Sequence, residues 1–125
     1  MNGNETVSRL DFESTVDLLT AAVESSGLKI VAIINAQENL KKIGAEIGGN
    51  KILEVFHPKL AKEVFQKGNI RAGIVPPLRI YVYEDAGVTH VATQSAVDLF
   101  SSYAGLQDLA RKVDEMLESI VSKIQ

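Results

Sequence analysis

Two histidines are the residues of this sequence best suited to proton transfer, because only imidazole normally changes its charge near neutral pH. They are His57, which precedes Pro58, and His90, which lies in a run of β-forming residues. The position of His57 predicts a residue that caps a helix, or one that helps to bind a small anion at the helix N-terminus. His90 is predicted to be a packed residue of the core or of an interface. An enzyme that uses His57 or His90 as acid–base on a small substrate is one hypothesis for the function.

The sequence does not predict a metal site or identify a cofactor. It contains no cysteine, which excludes disulfides, thiolate chemistry, Cys-ligated zinc and iron–sulfur clusters. With two histidines, a metal site would need carboxylates that the spacing does not bring together. The Gly48–Lys51 segment lacks the spacing of a phosphate-binding loop and precedes a strand. No nucleophile–base motif is present.

Two runs of β-forming residues predict a hairpin in the C-terminal half. They are residues 78–84 and 88–95, joined by a three-residue loop, Asp85–Gly87. This loop would place Val82 opposite His90. His90 would then lie on the same face of the hairpin as Val82.

The other face of the hairpin is predicted to carry Arg79, Tyr81 and Tyr83 together. A guanidinium and two phenols on one face favour a planar or anionic ligand, or a protein interface. They are also typical of an ordinary half-exposed sheet. On the predicted register this face also includes Thr89, Val91 and Thr93.

The acidic residues do not predict a general acid. Glu84 and Asp85 are expected to be solvated at the hairpin tip, and Asp114, Glu115 and Glu118 to lie on the wet face of a helix. Solvated carboxylates have no reason for the raised pKa that a general acid needs.

Hydrophobic periodicity predicts the elements that hold these side chains. The regular apolar spacing from Leu106 onward predicts a long amphipathic C-terminal helix with one buried face. The hairpin requires antiparallel pairing, and the helix needs a sheet to cover. We expect an α+β fold, a two-layer sandwich in which a mainly antiparallel sheet of about five strands is covered by helices. Residues 1–125 are expected to form a single domain.

Three further local predictions concern the N-terminal half. A two-residue period predicts a first strand over residues 7–12, followed by a helix capped by Ser14. The apolar run 28–34 predicts a strand that is buried on both faces or nearly so. Asn35 is expected to cap a second helix whose inward stripe is Leu40, Ile43 and Ile47.

Composition limits the partners and the compartment. The chain has 125 residues, 46% of them hydrophobic and 23% charged, and a formal net charge of −3. This charge argues against general binding to nucleic acid or to anionic membranes. The sequence shows neither a signal peptide nor an apolar run long enough to cross a bilayer, so a cytoplasmic protein is expected.

Two segments resemble the domain-of-unknown-function family 302. They are KILEVFHPKLA at residues 51–61 and PPLRIYVYED at residues 76–85. The resemblance implies a compact α+β domain of the TATA-binding-protein-like class, often homodimeric and mostly without an assigned activity. His57 stands where the family usually has Asn, and Leu78 where some members carry Cys, so a thiol role does not carry over.

The absence of catalytic motifs and this resemblance together favour a non-enzymatic homodimeric module that binds a small ligand or a protein partner. Its candidate ligand or interface residues are Arg79, Tyr81, Tyr83, His57 and His90.

Overall fold

Five strands form one antiparallel sheet in the order β1-β5-β4-β3-β2 in the computed structural model, which describes residues 3–67 and 69–125. The strands are β1 (Gly3–Val7), β2 (Lys29–Asn35), β3 (Asn50–Phe56), β4 (Leu78–Asp85) and β5 (Val88–Gln94). The helices are α1 (Phe12–Ser25), α2 (Ala36–Lys41), α3 (Pro58–Gln66), α4 (Ala96–Leu99) and α5 (Gln107–Ser122), with a 3₁₀ turn at Ile70–Ile74. The expected α+β sandwich and its long C-terminal helix are confirmed. Gly68, which the sequence predicts to end α3, lies outside the described residues.

The core lies between one face of this sheet and the helices. Side chains of β3, β4 and β5 alternate between buried and accessible, because neighbouring residues of a strand point to opposite faces. The buried sheet residues pack against apolar side chains of α1 and α5. Fully buried examples are Leu53, Ile80 and Val82 from the sheet, Leu19 from α1 and Ile120 from α5.

The chain enters α1 differently from the prediction. The first strand ends at Val7, and the cap of α1 is Asp11, whose carboxylate accepts a hydrogen bond of 2.8 Å from the backbone N–H of Ser14. The same hydrogen bond holds the pKa of Asp11 below its usual value. The predicted strand over 7–12 is wrong because Phe12 is buried as the first residue of the helix, so its apolar character reflects helix packing.

The second helix is shorter than its apolar pattern predicts. Asn35 does cap it, accepting a hydrogen bond of 3.0 Å from the N–H of Glu38. The helix nevertheless ends at Lys41, and none of its residues is buried. Gly44 turns the chain with a φ of 84°, so Ile43 beyond the helix is 78% exposed. The predicted inward stripe is therefore wrong.

β2 is an edge strand, and the prediction that it is buried on both faces is wrong. It pairs with β3 along one side, and a bulge interrupts the register between Ile30 and Ala32. Val31 and Ile33 are 54% and 53% exposed. A continuous apolar run shows that a segment favours a strand but not how many neighbours the strand will have.

The hairpin forms as predicted, but its register differs by one residue. Asp85 pairs with Val88, and the turn contains only Ala86 and Gly87, with φ values of 52° and 80°. Positive φ at both central residues is typical of the tight turns that join antiparallel strands. Because the side-chain period of a strand is two, this shift moves every side chain of β5 to the other face of the sheet.

Candidate functional site

Tyr81, Tyr83 and His90 form a stacked row, here called the aromatic row, on the face of the sheet opposite the helices. The rings of Tyr81 and Tyr83 have centroids 4.9 Å apart and planes inclined by 23°. The rings of Tyr83 and His90 are also 4.9 Å apart, inclined by 10°. All three side chains are half-buried. The aromatic row therefore presents partly accessible π-faces on the open side of the sheet.

His90 is part of this row because of the observed register. It pairs with Tyr83, whereas the predicted register would have placed it with Val82 on the covered face. Thr89 and Val91, expected beside the tyrosines, are instead 4% and 1% exposed beneath the helices. That part of the prediction is wrong because the predicted loop contains one residue more than the observed turn.

Each tyrosine hydroxyl of the row has a polar partner on another strand of the sheet. The side-chain amide of Asn50 donates to the Tyr81 hydroxyl at 2.6 Å. The Tyr83 hydroxyl donates to the Glu5 carboxylate, and this hydrogen bond raises the pKa of Tyr83 to about 12. Glu5 and Asn50 lie far from the tyrosines in sequence, and no local pattern connects them. The aromatic row is thus fixed by hydrogen bonds that cross the sheet.

Arg79 lies on the same face, next to the aromatic row. Its side chain is 50% exposed, and its Nε atom stands 3.6 Å from a carboxylate oxygen of Glu54. The side chain of Gln94 accepts a hydrogen bond of 2.9 Å from the Arg79 backbone N–H, which holds the end of β5 against β4. Within the described residues, the Arg79 side chain donates no hydrogen bond that meets normal geometry.

Two shallow depressions meet at Arg79 and Gln94. One, of about 300 Å³, also includes Tyr81 and has the small side chain of Ala92 between its walls. The other, of about 440 Å³, continues toward Tyr103. A flat molecule in the first depression would contact the Tyr81 ring while an anionic group reached the exposed guanidinium. This face is the candidate site.

His57 lies elsewhere and has a structural role. Its Nδ1 accepts a hydrogen bond of 3.3 Å from the Leu60 N–H, which confirms the predicted capping of α3. Phe56, the residue before it, ends β3, whereas the Tyr83–His90 pair lies beside Asn50 at the other end of that strand. The structure therefore does not bring the two histidines together. The ring of His57 borders a small apolar cavity of about 30 Å³ between α3 and α5.

Two carboxylates that were expected to be solvated accept hydrogen bonds from backbone N–H groups. Glu84 accepts a hydrogen bond of 2.7 Å from Gly49. Asp114 accepts hydrogen bonds of 2.6 Å from Ala96 and 3.1 Å from Val97, and so holds the first turn of α4 against α5. Asp114 is partly buried, so the prediction that it lies on the wet face of its helix is wrong, whereas Glu84 is exposed as predicted. Both meet partners that only the tertiary fold supplies.

No metal centre is evident in the part of the chain that the structure describes. Across residues 3–67 and 69–125, no three histidine, aspartate or glutamate side chains lie close enough together to hold a metal ion.

Comparison with known proteins establishes the family. A family model described as a domain of unknown function, DUF302, matches residues 4–124. The chain belongs to the DUF302 family. A solved structure of an uncharacterized conserved DUF302 protein from Bacillus stearothermophilus is similar to this DUF302 chain, with a TM-score of 0.91 and 20% sequence identity. The similarity covers 100% of this chain and 99% of the other, and it shows that the two share a fold.

A search of curated proteins finds no match to this DUF302 chain. Among its described residues, no helix is both long enough and apolar enough to cross a bilayer.

Proposed function

We propose that this DUF302 protein is a non-enzymatic homodimeric module that binds a planar, anionic small molecule on the open face of its sheet. The observation that carries the proposal is the half-exposed Arg79 side chain beside the aromatic row. We place the module in the cytoplasm, where reducing conditions suit a cysteine-free chain.

Arg79 supports an anionic ligand. A guanidinium presents a planar fork of N–H donors that matches a carboxylate or phosphate. Its contact with Glu54, at 3.6 Å, is longer than a strong charge-assisted hydrogen bond. An incoming anion could therefore bind the outer edge of the guanidinium while Glu54 stays beside the inner edge.

Tyr81 and Ala92 support a planar ligand. The two residues are opposite each other in the β4–β5 ladder, so the small side chain of Ala92 leaves room next to the Tyr81 ring. Aromatic rings favour offset or edge-to-face packing with a second ring. Ile52, opposite Tyr81 on its other side, adds an apolar wall.

The hydrogen bonds of the aromatic row favour binding over catalysis. The phenol of Tyr83 is engaged by Glu5, and its raised pKa keeps it protonated at neutral pH, where it cannot act as a base. Tyr81 is likewise engaged by Asn50. No comparable observation favours the acid–base hypothesis for His57 or His90.

A nuclear magnetic resonance titration of the full chain tests the proposal. The probes are benzoate, 4-hydroxybenzoate and nicotinate, with cyclohexanecarboxylate as a non-planar anion and benzamide as an uncharged ring. We expect the aromatic anions to shift the amide signals of Arg79, Tyr81 and Ala92. The two control compounds should bind at least about tenfold more weakly, since each lacks one of the two contacts.

Arg79→Gln should weaken binding of the aromatic anions by roughly tenfold or more, the usual effect of losing a charged hydrogen bond. Arg111→Gln is the matched control, because it removes an exposed arginine on α5, remote from the open face. The proposal is wrong if none of the aromatic anions binds, or if Arg79→Gln binds them as tightly as Arg111→Gln.

A further inference from the structure

The two edges of the sheet differ in composition. The edge strand β1 has the sequence GNETV, which is short, polar and carries Glu5. The other edge strand, β2, has the sequence KIVAIIN, with five consecutive apolar residues at 30–34. Charges, prolines and short length are the usual means of preventing an edge strand from pairing with another chain. β1 has two of these protections, whereas the centre of β2 has none.

The side chains of β2 are exposed at the same edge. Ile33 is opposite the buried Leu53 and therefore points toward the helix layer, yet it is 53% exposed. It lines an open cleft of about 620 Å³ whose other wall includes Thr20 and Glu24 of α1. α1 thus leaves the edge uncovered. A strand added beside β2, about 4.8 Å away, would place its own side chains next to Ile33 at the uncovered edge of the sheet.

The bulge at Val31 leaves part of this edge regular. Ala32, Ile33, Ile34 and Asn35 pair in continuous register with β3. Alternate backbone N–H and C=O groups of an antiparallel strand point away from its partner, so this stretch offers hydrogen-bonding groups to a second strand.

We propose that two copies of this chain pair antiparallel through β2, so that two five-stranded sheets join into one sheet of ten strands. The inference rests on the homodimer of the proposed function and assigns its interface. This pairing leaves the open face, which carries Arg79, accessible on both copies. The joined edge is β2, and β3 separates it from β4.

A second copy fits this edge because β2 is complementary to itself. Lys29 is the only charged residue of the strand. In an antiparallel pairing centred on Ala32, the regular stretch Ala32–Asn35 of each copy lies opposite residues 29–32 of the other. The bulged Val31 then faces Ile33, and Lys29 faces Asn35. Like charges directly opposite each other destabilise a sheet, and this arrangement avoids them. It also has the two-fold symmetry of most homodimers.

The absence of cysteine allows a direct test by single-cysteine cross-linking of the full chain. In the pairing centred on Ala32, the two Ala32 Cα atoms lie opposite each other, within the about 4.4–6.8 Å that a disulfide requires, whereas the two Ile33 Cα atoms are farther apart. We expect Ala32→Cys to form a disulfide-linked dimer under mild oxidation and Ile33→Cys to cross-link clearly less. Val88→Cys, at an exposed apolar residue of the hairpin, is the control. Equal cross-linking of all three variants would overturn the inference.

Sedimentation equilibrium gives an independent measurement without new thiols. Ile33→Lys should raise the dimer dissociation constant at least tenfold while the circular dichroism spectrum is retained, whereas Val88→Lys should not change the constant. Val31→Lys, at the exposed bulge, replaces Ile33→Lys if that variant does not fold. A monomeric wild-type chain, or a dimer that Tyr81→Lys dissociates and neither β2 variant does, overturns the inference.

The ligand titration separates failure of this interface from failure of the ligand site. A dimer joined through β2 that binds none of the aromatic anions would refute the proposed ligand site and leave the interface standing. A monomer that binds them would refute the homodimer and its interface and leave the ligand site standing.

Discussion

His90 lies directly opposite Tyr83 in the β4–β5 ladder, and their rings stack with centroids 4.9 Å apart. This contact exists only because the hairpin turn contains two residues. With one more loop residue, His90 would lie under the helices and the aromatic row would lose its third ring. The composition of the open face therefore depends on the turn at Ala86 and Gly87.

Replacing Ala86 with Asn should stabilise the protein. Ala86 has a φ of 52°, a left-handed conformation that is strained for alanine and that Asn adopts more easily. Asn-Gly is the preferred pair for this type of turn. We expect the free energy of unfolding to rise by about 0.5–1 kcal/mol in urea denaturation. Ala86→Val, which is β-branched, should lower it, and a lower stability for Ala86→Asn would contradict this description of the turn.

The pKa of Tyr83 should depend on Glu5. The Tyr83 pKa of about 12 is raised chiefly by the hydrogen bond to Glu5. An unfolded tyrosine titrates near 10, so this bond stabilises the fold below about pH 10, and its contribution is lost as the pH rises through the folded pKa. Glu5→Gln should move the Tyr83 midpoint down toward 10.

The measurement is the absorbance of tyrosinate near 295 nm as a function of pH. The difference between the wild type and Tyr83→Phe isolates the Tyr83 transition, and the same difference in the Glu5→Gln background gives the shifted one. Glu13→Gln, an exposed residue of α1, is the control. An unchanged midpoint in Glu5→Gln would show that the hydrogen bond does not set the pKa.

Asp114 should contribute to stability although it lies on a helix that is charged on its outer face. Its carboxylate accepts hydrogen bonds from the N–H groups of Ala96 and Val97. Asp114→Ala leaves these donors without a protein partner, so the free energy of unfolding should fall by about 1–3 kcal/mol. Glu115→Ala, at the exposed neighbouring position, should change it by less than about 0.5 kcal/mol. Equal effects of the two substitutions in thermal unfolding would contradict the capping role.

Gly49 should not tolerate a side chain. A Cβ atom there would lie 2.5 Å from Cγ of Phe12, closer than non-bonded carbon atoms approach. Gly49→Ala must displace the Phe12 ring or the loop, at a cost of about 1–3 kcal/mol of stability. In a Phe12→Ala background the same substitution should cost clearly less, since the obstructing ring is gone. Additive effects of the two substitutions in urea denaturation would exclude the clash.

The sequence by itself determined the elements whose signals are local. The apolar periodicity after Leu106 predicted α5, Asn35 and His57 were predicted to cap their helices, and the proline-led run from 76 predicted β4. Each of these signals depends on residues within a few positions of one another. The co-location of Arg79, Tyr81 and Tyr83 followed in the same way from the period of two along a strand.

Only the tertiary structure decided which strand lies at the edge and which side chains meet across the sheet. Apolar composition predicted β2 as a strand but could not show that, among the described residues, it pairs with β3 alone. Glu5, Asn50 and His90 reach the tyrosines from three different strands through pairings set by the turns and the sheet order. These features depend on contacts between residues far apart in sequence. A difference of one residue in a loop is enough to exchange the two faces of a strand, because successive side chains point to opposite faces of the sheet.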